Sequence, residues 1–259
     1  MKFSFQNLRV AHVVLDYWNV LWTTLKVSFI VTALQLIVTS LVGYALARLK
    51  FPGSKIVFAI VIFTIVVAPQ TIELPLKIGF RNFLGTGTNL LGSERILYLF
   101  AMTGMGIKAG IFIYLFRQFF RGIPVELEEA ALIDGANPLQ VFLKVMLPNA
   151  MGAIILTTIL TFVWQWNDSY YTFTYVSSIK DSFDTLTTKM MGVSQNINEA
   201  IQNAGVLGLF GQDVSKNPLF TSMILNTSAI LVMIPLLIFY GLVQKRLFSE
   251  GVERSGLVG

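Results

Sequence analysis

The side chains suited to chemistry in this sequence are few, and most stand inside or at the ends of long apolar runs. Gln165, Trp166, Asn167 and Asp168 close one run and are followed by Tyr170 and Tyr171. Gln70 and Glu73 lie beside Pro69 and Pro75 near the end of another; Lys108 falls within a third, and Asn226, Thr227 and Ser228 within a fourth. Charged and amide groups at membrane depth are costly and often mark pathways or partners. Trp166, Asn167 and Asp168 offer together a flat apolar face, an amide and a carboxylate. A sugar needs that set: a surface for its C–H faces and polar groups for its hydroxyls. The same residues fit a plainer reading, an interfacial belt of Trp and Tyr with an Asn-Asp pair ending a helix. Gln70 and Asn226 are further candidates for such a path. Glu73 and Lys108 read as structural pairs or snorkelling side chains.

Other chemistries are poorly served. His12 is the one histidine and there is no cysteine, which leaves neither a histidine-based metal site or triad nor a thiol nucleophile. No catalytic or metal-binding residue is assigned. The Walker A pattern G-x4-G-K-[ST], which cradles ATP phosphates, is absent. Basic residues are scattered despite the net charge of +5, so no nucleic-acid stripe is present. The N-terminal stretch lacks the apolar core of a signal peptide.

The elements that must position these residues are membrane helices. Hydrophobic residues make up 54% of the chain and charged residues 13%, about half the charge typical of soluble domains. Five segments approach the roughly 20 apolar residues of a span: 20–47, 55–79, 96–116, 149–168 and 220–244. Pro69, Pro75 and Pro235 interrupt two of them, and Gly104, Gly106 and Gly110 a third; such kinks are tolerated in a bundle and glycines permit close helix approach. The expected fold class is all-α, a polytopic transmembrane helical bundle in one domain, 1–259. Between the fourth and fifth segments lies a long connection, 169–219. Its stretch Asp184–Ala200 suits a short surface helix, and Gly205, Gly208, Gly211 and Pro218 an irregular return.

The connection 122–148 has an architecture of its own. Pro124 suits the first position of a helix. Val125 to Asp134 contains good helix formers, with acids in the first turn where the helix dipole favours them. Gly135 suits the left-handed position that stops a helix. Asn137-Pro138 is an N-cap followed by proline and restarts one, and Leu147-Pro148 ends it. The pattern predicts two short helices joined at a glycine, the shape of a docking element.

At these residues a resemblance becomes specific. Glu129-Ala130-Ala131, then Gly135, Val145 and Leu147-Pro148 resemble the signature EAA-x3-G-x9-I-x-LP of ABC-importer permeases, with Val145 for the usual isoleucine. Tyr44-Ala45-Leu46-Ala47-Arg48, Phe51-Pro52-Gly53, Phe116 to Phe120 with Ile123-Pro124, and Trp166-Asn167-Asp168 extend the resemblance to the maltose-type, carbohydrate-uptake branch. It runs from about residue 20 to the C-terminus. It implies a multi-pass subunit of a bacterial or archaeal cytoplasmic membrane. It also implies a second permease subunit, two cytoplasmic ATPase subunits and an external sugar-binding protein. Membrane lipid surrounds such a subunit; the chain binds no cofactor, and ATP and Mg sit on the partner ATPase. In the resembled family the loop 122–148 docks on the ATPase. Glu129 and Asp134 would pair with basic groups there, Ala130 and Ala131 would permit close approach, and Gly135, Leu147 and Pro148 would shape the loop.

Lysine and arginine do not orient the chain by themselves: alternate connections hold nine on one side and eight on the other, the nine in shorter segments. The resemblance places the docking loop in the cytoplasm. Permeases of this type have six spans with both ends inside, so an additional helix before Met1 is expected; a five-span protein is the alternative. A permease for another solute (amino acid, peptide or polyol), an ion-coupled secondary transporter and an intramembrane enzyme using serine or paired acids are the rival readings.

Overall fold

The computed structural model describes residues 6–179, 183–195, 197, 199 and 218–254. In chain order the elements begin with α1 (Gln6–Val14) and the long α2 (Tyr17–Arg48), joined where Asp16 adopts a left-handed φ of 47°. Next come α3 (Ser54–Val66), a tight turn at Pro69–Ile72 and α4 (Glu73–Arg81). Then follow α5 (Arg95–Met102), α6 (Ala109–Gly122), α7 (Val125–Ile133) and α8 (Pro138–Val141). A wide π turn at Phe142–Met146 leads into α9 (Leu147–Asn149) and α10 (Met151–Trp166). The short α11 (Tyr170–Thr172) continues as a second π turn, Phe173–Ser177. Among the described residues, α12 (Leu186–Gln195) and α13 (Pro218–Arg254) complete the chain.

Among the described residues two helices are each long and apolar enough to cross a bilayer, Tyr17–Arg48 and Leu219–Val243, and counting each sharply bent pair as one crossing gives up to four. The interruptions expected in segments 55–79 and 96–116 are present as breaks, and segment 149–168 starts at a further bend. Segment 55–79 bends by 106° between α3 and the Pro69 turn, where Val67 and Ala68 are extended; proline disfavours the helical region in the residue before it. Segment 96–116 is two helices, α5 and α6, separated by a break in which Gly104 (φ 72°) and Lys108 (φ 57°) turn left-handed. Segment 149–168 begins as α10 after an 81° bend, at Ala150.

The outer faces are apolar. Trp18 and Trp22 on α2 are 66% and 70% exposed, Val66 on α3 is 78% exposed and Leu242 on α13 is 73% exposed. Only Val61 of α3 is buried. Apolar surface of this extent suits lipid or neighbouring helices rather than water.

The chain divides into two compact units. The larger contains 30–90, 95–162 and 243–259. Its core joins Tyr44, Phe116, Phe120, Val141, Phe142, Met146, Ala150 and Ala153. Helices α2 and α6 touch nearly backbone to backbone: a Cβ on Gly43 would lie 2.5 Å from Phe116 Cβ. Gly110 does the same for α6 and α3, where a Cβ would lie 2.6 Å from Thr64 Oγ1 and 3.1 Å from the Val61 carbonyl oxygen. Gln35, fully buried on α2, donates from Nε2 to the Ile107 carbonyl at 2.8 Å. It satisfies one acceptor left open by the break in segment 96–116, as an interior amide can where no water is at hand.

The other unit contains 1–29, 91–94 and 163–242. Here α13 carries Pro235 inside it. Proline has no N–H, so the Leu231 carbonyl four residues earlier loses its helical partner. The Tyr17 hydroxyl donates to it at 3.2 Å, and the Trp166 indole N–H donates to the adjacent Val232 carbonyl at 3.3 Å. Lys26 pairs with Glu94 at 2.7 Å. The described part of the connection 169–219 is less loop-like than its composition suggests. Tyr175 and Val176 are buried, and the Tyr175 carbonyl accepts from Gly92 N at 2.9 Å. The helix expected at Asp184–Ala200 runs over Leu186–Gln195 and buries Leu186, Thr188 and Val193, so it is packed rather than purely superficial. Gly205, Gly208 and Gly211 lie outside the described residues.

Candidate functional site

The two-limbed element expected over 122–148 is built by local chain chemistry. Pro124 (φ −54°, ψ 135°) holds the extended entry immediately before α7, with Glu126 and Glu128 in the first turn. The helix stops at Ile133 with Asp134 as its cap. Gly135 has φ 84°. Ala136 N donates to the Ala131 carbonyl at 3.0 Å and Gly135 N to the Leu132 carbonyl at 3.1 Å, the paired bonds of a Schellman stop with glycine at C′. The second limb opens with a capping box: Gln140 N donates to Asn137 Oδ1 at 2.9 Å, and Asn137 N to Gln140 Oε1 at 2.9 Å. Pro138 follows at N1.

The second limb does not end at Leu147-Pro148. Pro148 cannot donate to the carbonyl four residues back, and the chain widens before it: Leu147 N donates to Phe142 O across the π turn. The helix continues through Asn149 and bends at Ala150. Proline here shapes the helix rather than stopping it.

Glu129, Ala130, Asp134, Gly135 and Pro148 are exposed, while Ala131 and Leu147 are half-buried against the apolar core. Glu129 and Asp134 make no ion pair among the described residues. Beside them Leu132 and Leu139 are exposed, and Ile133 at the tip is 86% exposed. The element presents exposed acids and aliphatic side chains around one turn, chemistry suited to a protein partner with a basic-rimmed apolar cleft.

Three residues that sequence reasoning did not assign as a site hold this element to the helices behind it. Arg48, at the last position of α2, donates from Nε and one terminal nitrogen to the Phe120 carbonyl at 3.0 and 2.7 Å, and also to the Ile123 carbonyl. It lies 3.5 Å from the Glu128 carboxylate, which also accepts from the Tyr44 hydroxyl at 3.3 Å. The available signal is the spacing of Tyr44 and Arg48, four apart on one helix face, together with an acid in the first turn of α7.

The candidate path residues fall in both units, Gln70 in the larger and Trp166, Asn167, Asp168 and Asn226 in the other. Trp166 is buried, 1% exposed, and its ring nitrogen serves the Val232 carbonyl. Its own carbonyl accepts from the Thr187 hydroxyl at 2.7 Å. Asp168 is buried as well; Oδ1 accepts from Tyr171 N at 3.0 Å, and Oδ2 from Thr172 N at 2.8 Å and Thr172 Oγ1 at 2.7 Å. These bonds cap α11 and occupy the carboxylate. In this conformation neither side chain offers a free stacking face or hydroxyl acceptor, and Trp166 is not an interfacial anchor either. Asn167 is exposed, with Nδ2 bound to the Val163 carbonyl at 2.9 Å. Asn226 is exposed on α13. Gln70 is exposed in the Pro69–Ile72 turn and belongs to the other unit. Glu73 pairs with Lys77 at 2.8 Å, whereas Lys108 is exposed and makes no ion pair among the described residues.

The family described as binding-protein-dependent transport system inner membrane component matches residues 39–249, which include the whole docking element. The chain belongs to this family. Its place in the inner membrane agrees with the apolar helices. Among relatives, the osmoprotective compounds uptake permease protein GgtD of Synechocystis is 30% identical over 230 residues, 88% of this chain and 66% of that protein. The alpha-glucoside transport system permease protein AglG of Rhizobium meliloti is 32% identical over 145 residues, 56% of this chain and 37% of that protein. The chain thus spans less than two thirds of the length of these relatives. A crystal structure of a bacterial ABC transporter involved in import of the acidic polysaccharide alginate contains a chain similar to this one, with TM-score 0.69 and 27% identity. The match covers 92% of this chain and 78% of that one.

Proposed function

We propose that the chain is a membrane-spanning permease subunit of an ATP-driven importer of sugars or oligosaccharides. The observation that carries the reading is the two-limbed element Val125–Asn149. It has a glycine stop, a capped restart and an exposed acid-and-aliphatic tip, and it lies within the matched family region. Docking there on a cytoplasmic ATPase passes the ATPase's closure to the helices as rigid-body motion, which alternates access between the two sides. ATP and Mg are bound by that partner. A second permease subunit, a pair of ATPase subunits and an external binding protein complete the assembly. Sugar as cargo is supported by the relative named for alpha-glucosides and the structure named for alginate. The relative named for osmoprotective compounds favours a second reading, a small polar osmolyte.

The test is reconstitution in proteoliposomes with the partner subunits. Uptake of a labelled alpha-glucoside or alginate oligosaccharide should require ATP and the binding protein, and should survive ionophores. Uptake that follows an ion gradient and ignores ATP overturns the proposal.

A further inference from the structure

The end of α2 grips both limbs of the docking element. Arg48 stands where α6 ends, and the last carbonyls of a helix have no partner of their own. Its planar fork serves the Phe120 and Ile123 carbonyls while facing Glu128. The cation also lies at the negative end of the α6 dipole. Glu128 belongs to α7, one residue before the Glu129-Ala130-Ala131 signature. Tyr44, one turn back, donates to the same carboxylate. Its ring packs on Phe142 of the second limb at 5.2 Å between centroids, and on Phe120 of α6 at 5.8 Å. The Arg48 and Glu128 side chains are only 11% and 13% exposed, so salt and water screen this pair far less than a surface one. A lysine would supply charge without the fork that reaches two carbonyls and a carboxylate together.

We infer that Arg48, Tyr44 and Glu128 form a latch that makes α2 and α6 follow the docking element, and are positioning residues for coupling ATP hydrolysis to transport. The inference rests on the proposed ATPase docking at Val125–Asn149. An element tied to the spans only by its two chain ends can tilt when the ATPase moves without carrying the helices. A polar clamp to the end of a second helix removes that slack.

The measurement is substrate moved per ATP hydrolysed, in the reconstituted complex, using the labelled alpha-glucoside or alginate oligosaccharide that the wild-type complex accumulates. Arg48→Met keeps much of the side-chain volume and removes the fork. It should lower the ratio about tenfold, the order expected from losing a charge-assisted hydrogen bond, while assembly and ATP hydrolysis persist. Glu128→Gln and Tyr44→Phe should lower it less. Arg48→Met combined with Glu128→Gln should resemble Arg48→Met alone, because both act on one contact. If only yield or melting temperature falls and the ratio holds, the residues are structural caps and the inference is overturned. If Arg48→Met fails to assemble, the two milder variants decide: an unchanged ratio in both overturns it. If the wild-type ATPase does not contact Val125–Asn149 in cross-linking, the docking reading falls and the latch falls with it.

Discussion

Replacing Gly135 isolates backbone geometry from packing. A Cβ built on Gly135 meets nothing within 4 Å, yet its φ is 84°. A larger residue therefore suffers no collision with its surroundings; it pays only for adopting the left-handed region, about 1–2 kcal/mol for an L-residue. Asparagine tolerates that region better than alanine, and β-branched valine worse. If the Schellman stop at Ala136–Ala131 and Gly135–Leu132 sets the angle between the limbs, the docking-competent population should fall in the order Gly, Asn, Ala, Val. A penalty of 1–2 kcal/mol corresponds to roughly 5- to 30-fold. The assay is retention of the partner ATPase on a purified permease complex at graded ATPase concentration, with membrane insertion measured in parallel. Valine binding as tightly as asparagine, at equal insertion, would refute the reasoning.

Gln35→Leu should leave the Ile107 carbonyl without its donor and cost about 1–3 kcal/mol, seen as a lower melting temperature in detergent. Gly43→Ala places a Cβ 2.5 Å from Phe116 Cβ and should cost about 1–3 kcal/mol by overpacking; the same melting assay checks it, and an unchanged midpoint contradicts the close approach of α2 and α6. Trp166→Phe keeps most of the ring volume but removes the donor to Val232. Thermal stability should drop while transport per assembled complex stays near wild type; a selective loss of transport would return Trp166 to the sugar path.

The two-limbed shape around Gly135 was legible because its determinants are local. Gly135, Asn137, Pro138 and Gln140 act on groups within five residues of themselves, and capping chemistry is readable at that range. What escaped depends on partners far along the chain. Arg48 meets Phe120 across 72 positions and Tyr44 meets Glu128 across 84. Trp166 and Asp168 look like ligand groups in sequence because residue type says nothing about burial, and their polar atoms are taken up by Val232, Tyr171 and Thr172. The break in segment 96–116 was signalled by glycines, but not the left-handed Lys108. Pro148 was misread as a stop because a π turn upstream absorbs its missing donor.

The joint at Pro235 has a mechanical consequence. In hydrocarbon no water stands ready to take over an exposed carbonyl, so the Leu231 acceptor that Pro235 leaves open depends on the Tyr17 hydroxyl, while Trp166 adds a second bond on the next carbonyl, that of Val232. The Pro235 turn of α13 is therefore tied to the start of α2 and the end of α10. Any stroke that moves this turn has to carry the Tyr17 side chain along, or strand the Leu231 carbonyl in oil. Three helices meet at this turn, and the carbonyl that the proline frees on one of them is where a second takes hold.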